Sequence, residues 1–166
     1  MSRKSISFPG LSVYVDQIAA LNKDAIEIVK GATAKGAEIV ADACKTELNG
    51  LPVTSEGKSI QAWKHQEKTF LTQRQKQGLV ESMGLAPIRN DAGFINTKLG
   101  FDGYNDIVTK KWPKGQPNAM IARSVDSGSS AFNKNPFMRR VEKATKEKAI
   151  KAMEKHFDAE TNKIMK

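Results

Sequence analysis

The chain has few of the residues on which most enzyme chemistry depends. Cys44 is its single cysteine among 166 residues, so no intrachain disulfide can form, which fits a reducing compartment. Its two histidines, His65 and His156, lie in unrelated segments with no second Cys or His nearby. Metal-ligand spacing is therefore missing, and both read as surface histidines. No G-x-S-x-G elbow is present, and the serines around Asp126 (Ser124, Ser127, Ser129, Ser130) have no histidine base nearby. Gly100, Gly103 and Gly115 lack the Lys-Ser/Thr pair of a phosphate loop. Asp102, Asn105 and Asp106 lack calcium-loop spacing and read as turn-formers that bond their own backbone. No apolar run approaches the ~20 residues of a membrane helix. Arg3 and Lys4 resemble a basic leader, but Pro9, Gly10 and Asp16 follow before an apolar core develops, so no signal peptide is expected. The expectation is a non-enzyme with no catalytic residue, no metal, no cofactor and no membrane partner.

Positive charge is what the chain has in excess. Lys and Arg number 27 against 18 Asp and Glu, a net +9 that points toward acidic partners or nucleic acid. Two clusters mix cations with an aromatic, Trp63-Lys64-His65 and Lys110-Lys111-Trp112-Pro113-Lys114, as single-strand binders do. No nucleic-acid-binding fold signature accompanies them. A chain of this length fits one domain, residues 1–166, and buries about 70% of its unfolded surface.

Periodicity gives the expected architecture. Residues 11–15 read as a short strand, with Asp16 capping the helix that follows. Ile18, Leu21, Ile26, Val29, Thr33, Ala37, Val40 and Cys44 then make one face of a long amphipathic helix ending near Asn49-Gly50, with a bend at Gly31 or Gly36. Residues 50–71 are polar and basic and read as an extended loop or inserted arm. Thr72 and Gln75 form a capping box, opening a short helix that buries Leu79, Val80 and Met83 and ends at Gly84. Asp91-Ala92-Gly93 is a turn before a strand through residue 101, and 104–116 is a basic loop from which a further strand is expected. Together these give an α+β fold, a small antiparallel sheet under long N- and C-terminal helices.

The most informative stretch runs from Pro117 to Val141. Pro117 suits an early helix position and Gly128 a left-handed stop, with Ile121, Ala122 and Val125 at helical spacing between them. The alternative is a strand with Arg123 at a sheet edge. Asn135-Pro136 opens the last helix, whose face is Phe137, Val141, Ala144, Lys148, Ala152 and Phe157. Its cations (Arg139, Arg140, Lys143, Lys146, Lys148, Lys151, Lys155) interleave with Glu142, Glu147 and Glu154, the pattern of a paired, solvated face.

With those residues in place, the chain resembles the small tail-component family of tailed bacteriophages and prophages: neck, tail-completion and head–tail joining proteins. The likeness runs through GLSVYVDQIAAL, AEIVADACK and KQGLVESMGLAPIRNDAGFINTKLGFDGY, and is strongest at IARSVDSGSS followed by KNPFMRRV. Val125, Asp126, Gly128 and Ser129 match the family's V-E-F-G-T-like element, with Ser127 in place of its aromatic. The family's P-V-D-T-G turn appears as Pro52-Val53-Thr54-Ser55.

The resemblance implies a structural virion protein, made in the host cytoplasm and located in the neck or tail. It implies self-assembly as a ring, a hexamer with a dodecamer as the alternative, against neck, connector and tail-tube proteins. Double-stranded DNA passes through without sequence recognition. The expected contact residues are Trp63, Lys64, Trp112, Asp126, Gly128, Ser129, Pro136 and Phe137. The competing expectation is a basic nucleic-acid-binding module.

Overall fold

The computed structural model describes residues 11–165, with side chains described at Ile18 and from Asn22 onward. In chain order it contains α1 (Leu11–Asn49), α2 (Glu56–Lys64), α3 (Gln73–Ser82), β1 (Met83–Leu85), β2 (Arg89–Asp91), β3 (Phe94–Asn96), β4 (Leu99–Phe101), α4 (Asn118–Ser127) and α5 (Phe137–Ile164). The fold is α+β, with long N- and C-terminal helices and a small set of antiparallel strands.

Residues 11–15 are not a strand. They are the first turns of α1, so Asp16 lies within the helix and does not cap it. A five-residue apolar run needs a neighbouring strand to satisfy its backbone, whereas a helix satisfies it locally. Pro9-Gly10, Arg3 and Lys4 lie outside the described residues.

The two long helices run antiparallel and share a row of every fourth residue, the ridge along which helices interlock. On α1 the buried residues of that row are Ile28, Ala32, Gly36, Cys44 and Leu48, and on α5 they are Phe137, Val141, Thr145 and Ala149. This departs from both expected faces. Ile18 and Ile26 of α1, and Ala144, Lys148 and Phe157 of α5, are exposed. Small residues decide the difference, because they let the backbones approach. A Cβ on Gly36 would lie 2.7 Å from Met153 Sδ, and one on Gly31 would run into the His156 ring. The helix continues unbroken through both glycines, which serve close approach to α5. His156 is accordingly half-buried.

One end of this helix pair is closed into a head by α3 and α4. Cys44, Leu48, Leu51, Leu71, Leu79, Ile121, Ala122, Val125, Phe137 and Val141 form a single buried cluster there. Thr72 caps α3 as expected. Its hydroxyl accepts the Gln75 N–H at 3.3 Å, and its own N–H donates to Gln75 Oε1 at 3.0 Å. Leu79 is buried, while Val80 and Met83 pack partly against the cluster.

The strands form one hairpin ribbon in two registers. Met83–Leu85 pairs with Leu99–Phe101, and Arg89–Asp91 with Phe94–Asn96. Between the two ladders, residues 86–88 oppose residues 97–98, so the first side of the ribbon carries one extra residue there, beside Pro87, which has no N–H to donate. The expected single strand to residue 101 is thus split, and β1 begins where the α3 helix was expected to continue to Gly84. At the tip Ala92 and Gly93 have φ of 55° and 92°, the paired positive values of a primed hairpin turn. At the base, Phe101 meets Phe137 edge to face, centroids 6.3 Å apart. The further strand expected in 104–112 is absent from the described residues. That segment makes one isolated bridge, Tyr104 with Pro117, and otherwise turns on reciprocal backbone hydrogen bonds between Thr109 and Trp112 and on bonds to the side chains of Asn105 and Thr109.

Candidate functional site

Asp126, Gly128, Ser129, Pro136 and Phe137 build the corner between α4 and α5. Gly128 ends α4 at φ 79°, where a Cβ would approach Lys134 to 3.0 Å. The Asp126 carboxylate accepts the Met138 N–H at 2.9 Å, filling a free donor at the start of α5, and the carbonyl of Val125 accepts the Asn135 N–H at 2.8 Å. Ser129 Oγ accepts the N–H groups of Ala131 (3.2 Å) and Phe132 (3.0 Å). Pro136 precedes α5 and Phe137 is fully buried in the head. Asp126 Oδ1 and Ser129 Oγ thus both serve backbone N–H groups at this corner. Phe137 holds the core together and offers no surface to a partner.

The 50–71 segment differs from a free arm. Leu51 and Leu71 are buried in the head and Val53 bridges Leu71, so both ends are anchored. Between them stands α2, whose only buried residue is Ala62. Trp63 is 77% exposed and Ile60 lies exposed one turn away on the same face. Lys64 is exposed beside them. On the other side of α2, an open groove of roughly 390 Å³ is lined by Lys58, Gln61, His65, Glu67, Lys68 and Asn133, among others.

Two more projections carry uncovered apolar residues. The ribbon tip presents Phe94, 73% exposed, and the 104–116 loop presents Tyr104 and Val108. Trp112 is half-buried, with the Lys111 ammonium 5.7 Å from its ring centroid, a cation–π distance. This loop is anchored from inside. Asn105 is buried, and its Oδ1 accepts the N–H groups of Ile107 (3.0 Å) and Gln116 (2.9 Å). Asp106 holds the Arg74 guanidinium at 2.7 Å, and that hydrogen bond keeps Arg74 even more firmly protonated than usual. Ile60, Phe94, Tyr104 and Val108 were missed as surface features. The i, i+3 spacing of Ile60 and Trp63 was the signal available for the first of them.

The charges on α5 do not pair as expected. Arg140 meets Glu47 at 2.8 Å and Lys163 meets Glu160 at 2.6 Å, the hydrogen bond that holds the Glu160 carboxyl below its ordinary range. Among the described residues Glu142, Glu147 and Glu154 make no ion pair. Holding two long exposed side chains in one geometry costs about as much entropy as the contact returns in water. Lys143, Lys146, Lys148, Lys151 and Lys155 therefore stand as free cations among the described residues.

No cluster of three or more His, Cys, Asp or Glu able to hold a metal occurs among the described residues. None of the described helices is long and apolar enough to cross a membrane. The contact residues expected from sequence separate into two sets: Trp63, Lys64 and Trp112 on surface projections, and Asp126, Gly128, Ser129, Pro136 and Phe137 in the α4–α5 corner. Comparison with protein-family models, with curated proteins and with solved structures finds no match for this chain.

Proposed function

We propose that this chain is a structural virion protein of a tailed phage or prophage, a subunit of a ring at the head–tail junction or tail end. The ring completes the tail and lets DNA pass, as the resemblance in the V-D-S-G-S element and the following Asn-Pro helix start implies. One observation carries the reading furthest: large apolar side chains are uncovered on three separate projections, Trp63 and Ile60, Phe94, and Tyr104 with Val108. Aromatic side chains are enriched where proteins meet, and three exposed ones around one chain suit neighbours on more than one side. The rigid α4–α5 corner supplies a fixed frame from which they project. The free cations of α5 face outward or toward acidic neck and tail partners. A channel lined with them would hold duplex DNA by counterion release and oppose its passage.

Light scattering on the size-exclusion eluate, followed by electron microscopy with purified tail tubes, tests this. Rings, or density added at the tube end, support it; a monomer that binds neither tube nor connector under all assembly conditions removes it. The same free cations favour one second reading, a nucleic-acid-binding module. It requires duplex affinity that falls steeply with salt, and negligible binding at physiological salt eliminates it.

A further inference from the structure

The two faces of α2 differ in a way that fits one copy of this chain to the next. At about 100° per residue, Ile60 and Trp63 lie on one side of the helix with Glu56 between them, while Lys58 and His65 lie on the opposite side. The first side is a projecting apolar knob with a carboxylate at its centre. The second forms one wall of the groove of roughly 390 Å³, closed across from it by Glu67, Lys68 and Asn133. We infer that the knob of one subunit docks in the groove of its neighbour, so that each α2 supplies both halves of a head-to-tail contact.

Three features select a second copy as the occupant. The groove falls within the ~300–1,000 Å³ of ordinary binding pockets and can take an indole. Lys58 and Lys68 line it, with one carboxylate, Glu67, beside them, and cations attract the face of a tryptophan. The same cations complement the Glu56 carboxylate, which keeps only a 3.8 Å contact to Arg74 while Asp106 holds that guanidinium at 2.7 Å. Because knob and groove point in opposite directions on one helix, docking cannot be two-fold. Each contact leaves one free knob and one free groove, so contacts repeat, and they close into a ring where the rotation between neighbours allows it. Anchoring at Leu51 and Leu71 fixes the helix before docking, which lowers the ordering cost.

This inference rests on the ring reading, and the experiment separates the two. In full-length protein, Ile60→Cys combined with Asn133→Cys should give, on mild oxidation, a ladder of disulfide-linked multimers ending at the ring size. The two positions lie on opposite sides of α2 and cannot bridge within one chain. Trp63→Ala should weaken assembly at least about tenfold, with Trp63→Phe intermediate and circular dichroism unchanged. In a Trp112→Phe background, Trp63 fluorescence should shift to the blue as rings form. If rings form but Trp63→Ala assembles normally and no ladder appears, the knob-and-groove contact is wrong while the ring stands. If Trp63→Ala loses binding to tail tubes and keeps self-assembly, the occupant is another protein and the inference fails. A wild-type chain that stays monomeric removes both.

Discussion

The head and the projections treat large apolar side chains in opposite ways. In the head, Phe137, Leu48, Leu71, Leu79 and Ile121 are fully buried, and a polar corner closes around them by hydrogen bonds. On α2, the ribbon tip and the 104–116 loop, side chains of equal size stand in water. A chain of this size has enough core to fold without covering them. On the proposed reading, the difference separates what holds the chain together from what it would present to others. Changes in the head should therefore cost stability, and changes in the projections should cost association.

Phe137→Ala should give the largest effect. It empties the centre of the cluster and removes the edge-to-face contact with Phe101, costing about 3–5 kcal/mol in a denaturant titration. A cost near zero would mean that the head is not the stability core. Gly36→Leu should come next, at about 1–3 kcal/mol, because Met153 and α5 must move away. Asp126→Ala should cost about 1 kcal/mol by leaving the start of α5 uncapped, with the loss reduced in Asp126→Asn.

The Cys44 thiol sharpens the same contrast. Burial, then the neighbouring Glu47 charge, pushes it up from 9.0 to about 11. A raised folded value means that stability from the protonated thiol is intact below pH 9 and is lost as pH rises through 11. At pH 8 the native thiol should react with a maleimide far more slowly than in denaturant, and equal rates would show that the head opens freely. Trp63→Ala should have the smallest effect on folding, within about 0.5 kcal/mol. A larger loss would place α2 in the stability core and blur the division.

Much of this was legible in the chain where single residues have strong backbone preferences. Pro117 and Gly128 bound α4, Thr72 with Gln75 starts α3, and Asn135-Pro136 marks the start of α5. The errors arose where packing overrides pattern. The contact row of α1 and α5 uses Ala32, Gly36, Thr145 and Ala149, which barely register as hydrophobic, while Ile26 and Phe157 register strongly and stay exposed. The residues 11–15 resemble a strand until the helix beyond them is seen to begin earlier. The ribbon's extra residue depends on pairing between segments that local periodicity treats separately. Of the expected contact residues, Phe137 is fully buried, Asp126, Gly128, Ser129 and Pro136 are half-buried in the corner, and sequence could not separate these from Trp63 because both kinds sit at element ends.

Self-association through the projections is the claim on which the functional reading depends. Cryo-electron microscopy of the purified full-length protein, taken across a concentration series, tests it most directly. The account expects closed rings, six-fold or doubled, with α2 at the contact between neighbours. Single subunits at every concentration, or open filaments whose contacts leave Trp63, Phe94 and Val108 in solvent, would contradict it.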